Sequence, residues 1–302
     1  MSAKADSLKT IFFALGANFA IFIAKLAAAI VTGSGSMAAE AVHSLADCGN
    51  QVLLLIGMRQ ARRSASAEHP LGYGMVVYFW SFLVALLLFS IGGMFSIYEG
   101  MHKLQAHEPL RWPWLAVGVL VFGIVAESFS MWGCLREVNK ARAGTSLWRW
   151  FRDSRQSELI VVFGEDLAAL LGLAFALVAV LATMLTGNLV YDAAGSIAIG
   201  VLLCVVAVFV AREVASLLVG QSADPAFRAD LEAFVRAQPE VERLFNLITL
   251  QLGPDVMVAT KAQMRGELSG DELIAAINRV EAAMRARFPE IRWSFFEPDV
   301  SD

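Results

Sequence analysis

The sequence predicts a membrane protein: an all-α bundle of six transmembrane helices followed by a C-terminal cytoplasmic α+β domain of αββαβ, ferredoxin-like type. Three observations predict it. The 302 residues are 57% hydrophobic and 17% charged, with a mean hydropathy of +0.60, where a soluble chain carries about 25% charge. Six apolar runs follow one another over residues 1–219, each long enough for a bilayer, which takes roughly 20 residues. From about Gly220 mixed charge replaces them, so residues 220–302 read as a separate soluble domain.

The runs lie near Ile11–Val31, Met37–Met58, Val76–Glu99, Trp114–Leu135, Ser157–Leu185 and Leu189–Val219. In lipid every backbone N–H and C=O needs an internal partner, so each run reads as a helix. The first run follows Lys4 and Lys9 directly; it is too long for a signal-peptide core of roughly 7–15 residues and reads as a retained span. Basic residues fix the orientation. Lys4, Lys9, Arg59, Arg62, Arg63, Arg136, Lys140, Arg142, Arg149, Arg152, Arg155 and Arg212 flank one side; Lys103 and Arg111 flank the other. The positive-inside rule then puts both termini in the cytoplasm, as in a multi-pass protein of the bacterial inner membrane.

The tail reads helix Pro225–Ala237, strand Leu244–Leu252, turn Gly253–Pro254, strand Val256–Met264, helix Gly270–Phe288, strand Arg292–Phe296. Ser269 and Glu272 have capping-box spacing ahead of the second helix. The tail has neither His nor Cys, which disfavours a tight zinc centre there. Trp293, Phe295 and Phe296 are candidates for its core or for dimer contacts, with plain packing the simpler role.

Ionisable residues inside a span are costly, and each marks a functional hypothesis. The second span carries Glu40, His43 and Asp47, spaced so that all three share one helical face. The fifth carries Glu165 and Asp166, the fourth Glu127, and the first Asn18 and Lys25; Asp192 opens the sixth. Counted from opposite ends of their spans, Asp47 lies about 15 Å deep and Asp166 about 14 Å. Both carboxylates therefore reach the midplane, where transporters commonly bind substrate. Imidazole with carboxylates suits Zn²⁺, and the absence of a thiolate ligand disfavours copper(I). The same groups shed protons when they bind metal, so binding and protonation compete. A buried polar pair that glues helices is the bland alternative for His43 and Asp47. Glu40 lies nearer the outer surface, where it lines an exit path or is simply polar. Glu127 is read as orienting ligands or pairing with Lys25, and Lys25 as a structural counter-ion. His69 sits in the turn His69–Gly74 and reads as a turn histidine, with a second metal site as the alternative; His102 and His107, in the outer loop, read as solvated residues. Cys48, Cys134 and Cys204 form no CxxC pair and read as small packing residues.

Several classes fall away. There is no GxxxxGK[ST] loop, so an ATP-driven pump is disfavoured. Ser44 and His43 are helical neighbours whose side chains diverge, so Ser-His-Asp catalysis, and an enzyme generally, lacks support. A formal net charge of -4 gives no sign of nucleic-acid binding.

The stretch Gly35–Gln51 with its HxxxD of His43 and Asp47, the HPLGYG turn at His69–Gly74 and the run TGNLVYDAAGSIAIG from Thr186 to Gly200 resemble the cation diffusion facilitator family over nearly the whole chain. The resemblance implies a homodimeric, proton-coupled antiporter of divalent metal, with the tail as dimerising domain. It implies His43, Asp47 and Asp166 as ligands and Glu165 as a possible fourth. Relatives usually carry His or Asp four residues before the fifth-span Asp; here that position is Val162, and Glu165 stands beside Asp166, as in the subgroup similar to the human mitochondrial-type zinc transporter. Adjacent helical residues point about 100° apart, so Glu165 joins the site only with a helix distortion, and water is the other candidate for the last position. The expected cargo is Zn²⁺, with Mn²⁺, Fe²⁺, Co²⁺ and Cd²⁺ behind it, exported against protons. The rival readings are a proton-coupled carrier of an organic substrate and a membrane receptor or scaffold whose tail binds a partner.

Overall fold

The computed structural model describes residues 3–106, 112–142 and 144–301, with side chains from residue 15 on, apart from residues 17, 89 and 106. His107 and Arg111, and the side chains of Lys4 and Lys9, lie outside the described residues. The chain forms two compact units. One holds residues 1–57, 80–145 and 158–214; the other holds residues 58–79, 146–157 and 215–302.

The first unit is helical. Its elements are α1 (Ala3–Thr32), α2 (Gly35–Ala61), α3 (Val76–Leu87), a π-helical stretch (Leu88–Met94), α4 (Phe95–Ala106), α5 (Pro113–Ala141), α7 (Ser157–Thr186) and α8 (Val190–Gly220). The short α6 (Leu147–Asp153) belongs to the second unit. Among the described residues, four stretches are long and apolar enough to cross a membrane: Val76–Gln105, Pro113–Ala141, Ser157–Thr186 and the helical run opening at Val190. A shorter apolar stretch covers Asn18–Thr32 of α1. At 27 residues α2 is as long as a span, but Glu40, His43, Asp47, Asn50 and Arg59 interrupt its apolar surface. The third apolar run, expected as one plain helix, instead carries the π-helical turns at Leu88–Met94.

Small residues let these helices touch. A Cβ on Gly200 of α8 would stand 2.6 Å from the carbonyl oxygen of Gly93 and 2.7 Å from the nitrogen of Ile97. A Cβ on Gly100 would likewise press on the carbonyl of Ala193. Close backbone approach through glycine is how membrane helices gain packing where no hydrophobic driving force separates lipid from side chain. Two tight turns of the bundle use a left-handed glycine after a helix end. Gly33 (φ 67°) donates to Ala29 O at 2.8 Å, and Gly187 (φ 69°) to Thr183 O at 2.8 Å.

Asp192, at the start of α8, caps the start of α2. Its carboxylate accepts from Ser34 Oγ at 2.7 Å, from Gly35 N at 2.7 Å and from Ser36 Oγ. An anion at a helix N-terminus satisfies free N–H groups and opposes the helix dipole.

The second unit contains α9 (Pro225–Arg236), β1 (Val241–Leu252), β2 (Asp255–Met264), α10 (Gly270–Arg287) and β3 (Ile291–Pro298). The tail thus has the expected αββαβ order. β1 and β2 pair antiparallel, and β2 and β3 pair parallel across the α10 crossover, giving the sheet order β1-β2-β3. One face alternates inward: Val256, Val258, Thr260 and Ala262 of β2 are buried, and Leu231, Val235, Val280, Met284 and Phe288 complete the core cluster around Val256, Val258 and Ala262. The capping box is present, with Ser269 and Glu272 bonding each other's backbone N–H.

Within this unit the HPLGYG turn meets the β1–β2 turn. Tyr78 Oη accepts from Gly253 N at 3.0 Å, and Gly74 packs so closely on Leu252 that any side chain there would strike its carbonyl.

Candidate metal pathway

The acidic face of α2 is buried. Glu40 and His43 have no exposure, and Asp47, Glu165 and Asp166 are each under a tenth exposed. His43 Nδ1 lies 3.7 Å from Asp47 Oδ1, one helical turn apart and too far for a hydrogen bond.

The two acids of α7 diverge. Glu165 Oε1 accepts from Asn50 Nδ2 of α2 at 2.5 Å, and Asp166 Oδ1 accepts from Ser130 Oγ of α5 at 3.1 Å. The α7 carboxylate that bonds to α2 is therefore Glu165, and it reaches α2 from an undistorted helix. Asp47 nevertheless feels the charge of Glu165 and then of Glu127, and Asp166 feels Glu127. All four candidate ligands thus belong to one electrostatic neighbourhood. Among the described residues, no three His, Cys, Asp or Glu side chains stand close enough to enclose a metal ion.

What α2 and α7 do show is missing partners. Among the described residues, the buried side-chain atoms without a hydrogen bond are Glu40 Oε1, both ring nitrogens of His43, Asp47 Oδ1, Asn50 Oδ1, Gln51 Oε1, Asp166 Oδ2 and Thr260 Oγ1. All but the last lie on α2 or α7. Buried polar groups normally find partners, and each exception calls for an explanation.

Asn50 and Ser130 were not singled out from the sequence. Asn50 lies three residues beyond Asp47 and seven beyond His43, on the same face, and that periodicity was the available signal. Ser130, on an apolar helix, gave none.

Lys25 pairs with Glu40, not with Glu127: Nζ lies 3.2 Å from Glu40 Oε2 and 2.8 Å from Ser44 Oγ. His69 is exposed and stacks on Tyr73 with ring centroids 4.4 Å apart; His102 is exposed and stacks on Tyr98. Cys48, Cys134 and Cys204 are free thiols.

A bundle of apolar helices with buried, partnerless polar atoms marks an integral membrane protein. The model for the cation efflux transmembrane domain matches residues 11–219, and the chain belongs to the cation diffusion facilitator family. It is 31% identical over 275 residues to the protein named proton-coupled zinc antiporter SLC30A9, mitochondrial, of Xenopus laevis, covering 90% of this chain and 48% of that protein. It is 31% identical over 250 residues to metal tolerance protein C4 of Arabidopsis thaliana, covering 82% and 55%. It is 24% identical over 270 residues to the cation-efflux pump FieF of Klebsiella pneumoniae, covering 89% and 85%. The chain spans about half the length of the first two.

Proposed function

We propose that the chain is a proton-coupled antiporter of divalent cations, Zn²⁺ first, working as a homodimer of six-span protomers with both termini in the cytoplasm. The observation that carries this is the line of unsatisfied buried acceptors on α2 and α7. Two relatives named for proton-coupled zinc antiport and cation efflux support the cargo. His43 and Asp47 supply one side of the site. Asp166 closes it from α7 as a small rotation draws it off Ser130, and Glu165, held in place by Asn50, is the candidate fourth ligand. Binding displaces protons from the same atoms, so metal moves one way as protons move the other. The export direction follows from the site opening to the cytoplasm when deprotonated and to the far side when protons return.

The dimer is supported by the open face of the sheet. Ile248, Ala259 and Phe295 align across all three strands, and Ile248 and Phe295 are more than half exposed at 54% and 56%. An apolar row of this kind suits a second copy of the tail.

The test is flux. Purified full-length chain in vesicles should take up Zn²⁺ when a pH gradient is imposed and should acidify or alkalinise the lumen in step. Uptake of an organic substrate without divalent metal would favour the carrier reading. No flux of any kind would favour a receptor.

A further inference from the structure

Lys25 and Glu40 form a pair that the metal site itself does not need. Both are wholly buried, and both sit toward the Gly35 end of α2, with Glu40 about 10 Å along the helix from Asp47. Among the described residues, Lys25 is the positive charge acting on Glu40, His43, Asp47 and Glu127.

The surroundings are shaped for the pair. A Cβ on Gly172 of α7 would stand 2.5 Å from Glu40 Oε1, so only glycine leaves that oxygen its place. A Cβ on Gly123 of α5 would lie 3.5 Å from Lys25 Cε and 3.1 Å from Leu173, so glycine also gives the lysine stem its room. Glu40 is used on one side only: Oε2 holds the ammonium, while Oε1 is buried without a partner. Ser44, one turn toward the metal site, holds the same ammonium.

We propose that the Lys25–Glu40 pair is the gate between the metal site and the outer surface, a point that rests on the transport reading above. The ammonium is a tethered stand-in for the cation. It fills the outer carboxylate while no ion is passing, and metal arriving from Asp47 engages the vacant Oε1 and draws Glu40 off the ammonium, which stays on Ser44. The gate opens only when a cation of higher charge replaces the resident one, which keeps the path shut to free passage.

The experiment uses full-length chain in vesicles, with Zn²⁺ flux per folded molecule read with and without a pH gradient. Lys25→Met alone leaves Glu40 charged and unpaired and is expected to assemble poorly. The double variant Lys25→Met/Glu40→Gln removes both charges together. It should leak, with gradient-free Zn²⁺ flux rising about ten-fold, the effect of a barrier lowered by one decade, and with dependence on the gradient lost. Glu40→Asp keeps both charges but withdraws the carboxylate by one carbon; it should leak to a lesser degree and serves where the double variant does not accumulate. A purely structural pair would lower the yield of folded protein and leave flux per molecule and its gradient dependence at wild-type values. That result, or flux abolished outright in a folded variant, overturns the gate. Wild-type chain that moves no Zn²⁺ at all would instead sink the transport reading.

Discussion

Asn50 shows how one side chain can set the geometry of another. Its amide nitrogen holds Glu165 at 2.5 Å, and its own oxygen is free and buried. Groups that orient ligands govern affinity without touching the ion, and Asn50→Ala should weaken Zn²⁺ binding by about 10- to 100-fold. Calorimetry would show it, and Asn50→Gln, which keeps an amide N–H donor, should recover part of the loss. Asp47→Ala removes a proposed ligand and should bring flux to background while the protein still folds. Normal zinc transport by that variant would refute the site. In the tail, Glu240 is held below its ordinary value by the bond from Arg279, and Glu272 by the backbone N–H of Ser269. A carboxylate lowered on folding stabilises the fold above its unfolded value of 4.5 and loses that contribution as pH falls through the folded value. The protection of α10 amides, taken relative to the unstructured exchange rate at the same pH, should therefore fall as full-length protein is taken below about pH 4.

Glycine does more at the level of the element than hydropathy can convey. Gly200 faces the backbone of Gly93 and Ile97, so Gly200→Ala forces α8 away from the π-helical stretch and should cost about 1–3 kcal/mol. A lowered melting temperature in detergent would record it. Ser269→Ala removes the cap of α10 and should cost about 1 kcal/mol, visible as faster exchange in its first turn. The helices, the αββαβ order and the capping box were legible because each depends on local period and composition. Tail boundaries moved by only a few residues, as with β1 opening at Val241 where the sequence indicated Leu244. The π-helical turns were not legible, since apolar composition does not distinguish them from α-helix. Nor were the partners of polar groups: Lys25 chose Glu40 over Glu127, and Asp192 serves α2 although it sits on α8. Helical spacing located His43, Asp47, Glu165 and Asp166 on their helices. Which of the α7 acids bonds to α2 depends on how α7 is rotated, and one sequence does not encode that separately from its neighbours.

For the molecule as a whole, two copies are expected to meet across the row Ile248–Ala259–Phe295. Phe295→Lys should shift the mass in detergent from dimer to monomer, with the tail still folded because Phe295 stands outside the core cluster. A dimer unaffected by that change would place the contact elsewhere. The tether of α2 to Asp192 has a mechanical side. A rod pinned at one tip sweeps an arc that widens toward its free tip. Counted from Gly35, Glu40 is five residues along, Asp47 twelve and Asn50 fifteen. Any given tilt of α2 therefore carries Asp47 more than twice as far as Glu40, and Asn50 about three times as far, at a rise of about 1.5 Å per residue. Such a lever would let the coordinating end travel between two orientations while the carboxylate nearest the pivot stays almost still against Gly172.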